Sequence, residues 1–176
     1  MHKYILSLGS NIAPRLRFLR FAAASLILRG EILEFSSVYE TSPVGMGERE
    51  ESFLNAVLAF RTYLDPPALL RAVKNIEESA GRVLEERYKA RTLDIDIIAW
   101  SGGEWHDERL DVPHPRAHER LFVLVPYVEI CKNGLARFPE LDAGTLGGLR
   151  RMQDLRQGIE FFCGGDMLFA RAEEEP

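Results

Sequence analysis

Alternating and helically spaced apolar positions resolve most of the chain into an order of elements. Tyr4-Ile5-Leu6-Ser7-Leu8 is a short apolar run bounded by the turn residues Gly9-Ser10-Asn11, the pattern of a buried strand. Beyond Pro14, Leu16, Leu19, Ala23 and Leu26 recur at the spacing that shares one helical face, and Arg29-Gly30 supplies a stop. Ile32 to Thr41 predicts a second strand. A loop through Ser42-Pro43-Val44-Gly45-Met46-Gly47 and a solvated charge run, Glu48 to Glu51, follow it. Phe53 to Phe60 predicts a third strand, with Leu54, Ala56, Leu58 and Phe60 on one side and Phe53 and Asn55 on the other. Asp65-Pro66 pairs an N-cap with a proline in the first turn of a second helix. Leu69, Val73, Ile76 and Ala80 form its apolar stripe, and Gly81 closes it.

From Arg82 to Ala90 the chain is polar and without period, which predicts a mobile loop. Strict alternation then returns in Arg91-Thr92-Leu93-Asp94-Ile95-Asp96-Ile97-Ile98, a strand with Leu93, Ile95 and Ile97 on one face and Asp94 and Asp96 on the other. Ser101-Gly102-Gly103 turns the chain, Arg109 to Pro113 returns as a short edge strand, and His114 projects from its end. Leu121 to Ile130 predicts a core helix in which Pro126 marks a start or a kink. Gly144 to Gln157 has room for a last helix, whereas Phe161 to Gly165 and the acidic tail yield no element.

At 176 residues, 46% hydrophobic and without an internal repeat or linker, the sequence predicts one domain over 1–176. The net charge of -5 argues against a nucleic-acid partner, because such partners select a basic excess. Cys131 and Cys163 have neither metal-ligand nor disulfide-scaffold spacing and predict free thiols in a reducing compartment. With no signal-peptide pattern and no membrane-length apolar run, a soluble cytoplasmic protein with no membrane partner is expected.

The candidate chemistry centres on Asp94 and Asp96. On one strand face their Cα atoms stand roughly 7 Å apart, a separation at which two carboxylates hold one or two hard cations bound to a polyphosphate. The plainer alternative is the wet face of an ordinary strand. The surrounding Arg82, Arg87, Arg91, Arg109, Arg116 and Arg120, with His114, favour a metal and phosphate site, and the two carboxylates are expected to repel each other when no metal is present. Gly9 belongs to no Walker-type loop, since the Lys-Ser/Thr pair is missing. Phe53 beside Asn55 is either packing or a stacking surface with a hydrogen-bonding edge for a flat heterocycle. Glu77, misplaced for the helix dipole, pairs with Lys74 or is held by a metal, an arginine or a ligand.

Together these segments resemble the 6-hydroxymethyl-7,8-dihydropterin pyrophosphokinase family. The resemblance is carried by Ser7-Leu8-Gly9-Ser10-Asn11, Tyr39-Glu40-Thr41 with Pro43 and Gly45, Phe53-Leu54-Asn55-Ala56, Gly81-Arg82, Arg91 to Asp96, and Val112-Pro113-His114-Pro115-Arg116-Ala117-His118-Glu119-Arg120 leading into Phe122. It covers roughly Tyr4 to Ile130; residues after about Asn133 match poorly. It implies an α+β, ferredoxin-like fold, a mainly antiparallel sheet with helices packed on it. The implied reaction moves pyrophosphate from ATP to the pterin hydroxymethyl group and releases AMP, with two Mg2+ ions and a monomeric enzyme expected.

By the same resemblance Asp94 and Asp96 are the metal ligands, and Arg82 and Arg91 join them as catalytic residues. Thr41, Ser42, Pro43, Val44, Phe53, Asn55 and Phe122 bind the pterin. Glu77, Arg87, Tyr88, Arg109, His114, Arg116 and Arg120 bind ATP. Arg87-Tyr88-Lys89-Ala90-Arg91 departs from the family's Arg-Trp-Gly-Pro-Arg, Leu84 stands where arginine is common, and Lys74 replaces a frequent glutamine. Two alternatives remain beside this reading. One is a relative that binds nucleotide or pterin without turnover; the other is a different metal-dependent phosphotransfer enzyme on the same fold.

Overall fold

The computed structural model describes residues 1–42, 51–81, 91–131, 138 and 158–169. Of the expected features, the loop from Pro43, the loop from Arg82 to Ala90, the helix within Gly144 to Gln157 and the acidic tail lie outside those residues.

The element order is β1 (His2–Ser10), α1 (Arg15–Ile27), β2 (Glu31–Phe35), β3 (Val38–Thr41), β4 (Phe53–Thr62), α2 (Pro66–Ser79), β5 (Asp94–Trp100), β6 (Trp105–His106), β7 (Asp111–Val112), α3 (Leu121–Cys131) and β8 (Ile159–Cys163). The main sheet runs β5-β1-β4-β3-β8, with β2 also paired to β4, and its pairs are antiparallel. Both sheet faces are apolar over β1 and β4, so each needs a cover. α1 and α2 seal one face, with Leu16, Leu19, Leu26, Leu69, Val73 and Ile76 meeting Leu6, Leu8, Leu54, Leu58 and Phe60. α3 covers part of the other, where Val123, Tyr127 and Ile130 pack on Ile5, Val57, Ala59 and Ile98.

The helix signals are matched closely. Asp65 caps α2 by accepting from the Ala68 amide at 2.9 Å, and Gly81 takes φ +84°, a conformation that favours glycine at a helix stop. Pro126 lies inside α3 and does not start it.

The strand predictions need five corrections. β1 continues through Gly9 and Ser10, which read as turn residues in the sequence but pair with Asn55 and Leu54 of β4. Ile32 to Thr41 is not one strand, because the ladder breaks at Ser36-Ser37. The Ser36 amide donates to the Val57 carbonyl at 3.0 Å and its Oγ accepts from the Val57 amide at 2.9 Å, while the Ser37 amide and hydroxyl turn to the Glu129 carboxylate. The aspartate strand begins at Asp94, not Arg91, since the Arg91 amide is taken by the Asn11 side chain at 2.6 Å. Arg109 to Pro113 is not an edge strand of the main sheet. Only Asp111–Val112 is extended, it pairs with β6 in a separate two-stranded sheet, and Arg109 lies in the intervening turn. Finally, Ile159–Cys163 is a strand, paired with β3.

Candidate active site

Register decides what shares the sheet face beyond α3. Gly9 on β1 stands opposite Asn55 of β4 on one side and Asp94 of β5 on the other; in the next row of that face Ser7 stands opposite Val57 and Asp96. Residues opposite one another point to the same face, so the carboxylate pair and the Asn55 carboxamide face one way, across the glycine. A Cβ built on Gly9 would lie 3.2 Å from Asn55 Oδ1 and 3.9 Å from Phe53 Cδ1. Glycine here lets the carboxamide and the ring settle against bare backbone.

On β5, alternation leaves Asp94 and Asp96 partly exposed while Ile95 and Ile97 are buried. Arg91 Nη1 is 2.5 Å from Asp94 Oδ2, and Arg120 Nη1 is 3.0 Å from Asp96 Oδ2. The expected repulsion between the two carboxylates is therefore offset, since each has an arginine of its own. Both arginines are themselves positioned. Asn11 accepts from the Arg91 amide through Oδ1 and donates its own amide to the Arg91 carbonyl at 3.1 Å, and the Arg120 guanidinium sits 5.4 Å from the centre of the Phe122 ring.

His114 stands beside this group. Its amide donates to the Ile98 carbonyl at 2.9 Å, and its Nδ1 accepts from the Arg116 amide at 3.1 Å. Burial pushes the imidazole pKa down, Asp96 opposes the shift, and Arg120 and Arg116 add to it. The ring is therefore neutral at pH 7, with the Nε2 proton available for donation.

Glu77 is wholly buried. Its carboxylate accepts from the Ile95 amide at 2.7 Å and from Lys74 Nζ at 2.8 and 3.0 Å, so the structure contains the expected Lys74 pairing. Burial pushes this carboxyl pKa up, and the Lys74 charge opposes the shift. The contact to Ile95 places Glu77 behind the carboxylate pair, tying β5 to α2.

The second group lies at the end of β4. Asn55, 3% exposed, donates from Nδ2 to Thr41 Oγ1 at 2.9 Å, which leaves Oδ1 directed over Gly9. Thr41 and Phe53 are register partners, and the Ser42 amide donates to the Gly158 carbonyl at 3.4 Å. The structure thus joins Arg91, Asp94, Asp96, His114, Arg120 and Phe122 in one group and Thr41, Phe53 and Asn55 in another. Arg116 is exposed and bonded to Glu119 at 3.3 Å, and Arg109 is exposed in the β6–β7 turn; no hydrogen bond among the described residues links either side chain to the carboxylate pair. Pro43, Val44, Arg82, Arg87 and Tyr88 lie outside the described residues. Sequence reasoning missed the part played by Gly9, whose signal was a glycine continuing the alternation of β1. It also missed Asn11, whose bonds to Arg91 span 80 positions and leave no local pattern.

Among the described residues no cluster of three or more His, Cys, Asp or Glu forms around a common point. Two hard carboxylate oxygens donors suit Mg2+, which keeps several waters and takes its remaining ligands from substrate phosphates.

The layout is that of a phosphotransferase built on an antiparallel α+β sheet. The family model described as 7,8-dihydro-6-hydroxymethylpterin-pyrophosphokinase matches residues 5–132, and the chain belongs to that family. A 2-amino-4-hydroxy-6-hydroxymethyldihydropteridine pyrophosphokinase of Bacillus subtilis is 43% identical over 129 residues, 72% of this chain and 77% of its own length. The protein of the same name from Methylorubrum extorquens is 40% identical over 132 residues, 74% of this chain and 83% of its own. The crystal structure of wild-type Plasmodium falciparum HPPK-DHPS with pteroate aligns with a TM-score of 0.63 over 87% of this chain and 45% of that one. Its 14% identity makes it a likeness of fold, the ferredoxin-like α+β arrangement.

Proposed function

We propose that this chain transfers the pyrophosphoryl group of ATP to the hydroxymethyl oxygen of 6-hydroxymethyl-7,8-dihydropterin, releasing AMP, a step of folate biosynthesis. The observation that carries this reading is the row Asp94, Gly9, Asn55: a hydrogen-bonding edge for a flat ring and a phosphate-side carboxylate on one face, with bare backbone between them.

In this reading Phe53 and Phe122 stack on the pterin, and Asn55 with Thr41, Ser42, Pro43 and Val44 reads its polar edge. The hydroxymethyl oxygen attacks the β-phosphorus, the bond from that phosphorus to the oxygen of the α-phosphate breaks, and AMP leaves with the electron pair. The hydroxyl proton passes to Asp96 or to solvent. Asp94 and Asp96 would hold Mg2+, two ions in the full assignment, and when bound this metal neutralises phosphate charge and lowers the pKa of the hydroxyl. Arg91 and Arg120, which hold the carboxylates in the free protein, turn to the phosphate oxygens, where a planar guanidinium meets spread negative charge bidentately. Arg82 acts with Arg91 on the transferring group. Neutral His114 donates from Nε2 to a phosphate, and Arg87, Tyr88, Arg109 and Arg116 complete the ATP contacts. Glu77 acts on the ATP side by fixing β5 through Ile95.

The same proposal takes residues 1–176 as one unit, working as a cytoplasmic monomer. No helix of the described residues is long and apolar enough to cross a membrane. The function is tested by AMP release: AMP formation that requires ATP, Mg2+ and the dihydropterin alcohol together supports it, and ATP turnover indifferent to the alcohol overturns it.

A further inference from the structure

Arg15 opens α1 on the helix side of the sheet, opposite the face that carries Asn55 and the carboxylates. Its Nη1 donates to Glu40 Oε1 at 2.6 Å, to the Ser52 carbonyl at 2.9 Å and to Ser52 Oγ at 2.7 Å. Ser52 Oγ donates in turn to the same Glu40 oxygen. The Arg15 side chain is 20% exposed and that of Glu40 33%, so the cluster is partly buried. The Ser52 hydroxyl and the Arg15 guanidinium together hold the Glu40 carboxyl below its ordinary pKa.

Position in the sequence gives this cluster its meaning. Glu40 immediately precedes Thr41, Ser52 immediately precedes Phe53, and Thr41 and Phe53 face each other across β3 and β4. One guanidinium therefore grips both strands at the point where they part. In each strand the gripped residue points to the helix side and its neighbour to the site. A loosened grip would alter the spacing between the Phe53 ring and the Thr41–Asn55 pair. The carboxylates of β5 are held separately, by the Asn11 contacts to Arg91, by Glu77 on Ile95 and by Arg120.

We infer that Arg15 is a positioning residue for the flat-ring half of the site, fixing from behind the sheet the width of the slot that Phe53, Thr41 and Asn55 present. The role is selective: it acts on recognition of the acceptor and leaves the ATP half unchanged. This rests on the function proposed above.

The test is the pair of KM values, for dihydropterin alcohol and for ATP, in wild type, Arg15→Ala and Arg15→Lys, with thermal melts alongside. Arg15→Ala should raise the pterin KM about tenfold, the scale of one lost hydrogen bond to a charged group, and leave the ATP KM within about twofold. Arg15→Lys, whose single ammonium can still bridge Glu40 and Ser52, should recover most of that loss. Equal rises in both KM values, or an unchanged pterin KM in a folded Arg15→Ala protein, would overturn the inference. Should Arg15→Ala not fold, Glu40→Gln decides by the same ratio: it removes the charge from the grip but keeps its shape, and an unchanged pterin-to-ATP ratio counts against the role. A wild-type protein that makes no pterin diphosphate defeats the proposed function; an active wild type with an unselective Arg15→Ala defeats only the role of Arg15.

Discussion

Asn55 and Asp94 lie on one face of the sheet, two strands apart, each the register partner of Gly9. Neighbouring strands are about 4.8 Å apart, so the two Cα atoms are separated by about 10 Å across a strip of bare backbone. That interval suits a bicyclic ring bound edge-on at Asn55 with its substituent reaching toward phosphates held at Asp94. The proposed site is therefore a property of sheet register, and its two halves are expected to respond separately to substitution.

Asp94→Asn and Asp96→Asn should each lower turnover by about 10²-fold or more, the scale of losing a charged group that stabilises the transition state. Because Arg91 and Arg120 pair with these carboxylates in the absence of metal, stability should change by no more than about 1 kcal/mol, as for partly exposed ion pairs. AMP assays and thermal melts of the same preparations check both expectations, and a near-normal rate in either variant contradicts the metal role.

Phe53→Ala should weaken pterin binding by about 1 to 3 kcal/mol, the range for a heterocycle stacked on an aromatic platform, with little change for ATP. Calorimetric titration with each ligand separates that outcome from general damage to β4, which would weaken both.

Gly9→Ala should raise the pterin KM more than the ATP KM. The new methyl would stand 3.2 Å from Asn55 Oδ1, so the carboxamide proposed to read the ring edge must give way by a few tenths of an ångström. Steady-state kinetics with each substrate varied in turn is the check, and an unchanged pterin KM would mean that Oδ1 is not used.

The Glu40 carboxyl pKa is lowered by the Ser52 hydroxyl and by Arg15. A carboxyl whose folded-state pKa lies below the unfolded value stabilises the fold above that unfolded value, and the contribution fades as pH falls through the folded one. Glu40→Gln should thus be less stable than wild type at pH 7, with the gap closing as the solution is acidified below the ordinary carboxylate range. Urea unfolding of both proteins across pH 3 to 7 (about the span over which carboxylates titrate) measures the gap, and a constant difference would show that the charge of Glu40 contributes nothing.

Much of this was legible in the sequence because the relevant signals are local. The alternation around Asp94 and Asp96 put both carboxylates on one face, the Asp65-Pro66 pair marked α2, and Phe53 with Asn55 stood out on β4. What was not legible depends on contacts between distant segments. Ser36 and Ser37 break a run that reads as one strand because their partners, Val57 and Glu129, are far along the chain. Ile159–Cys163 reads as nothing until β3 offers it an edge. The Arg15 grip and the Asn11 contacts join residues 25 to 80 positions apart, where no periodicity can show them. Glu77 was left between a ligand role and a lysine partner, and only packing placed it inside, on Lys74 and Ile95.

The most direct measurement is the distance from the metal to the bound pterin. With Mn2+ in place of Mg2+, a non-hydrolysable ATP analogue and the dihydropterin alcohol all at saturation, the paramagnetic broadening of the hydroxymethyl protons reports that distance. An acceptor held over the row from Asn55 to Asp94 requires strong broadening, with the metal within about 10 Å, two strand spacings, of those protons. The same broadening should vanish in the Asp94→Asn, Asp96→Asn double variant. Sharp hydroxymethyl resonances in a saturated wild-type complex would place the ring and the metal in separate sites and contradict the account.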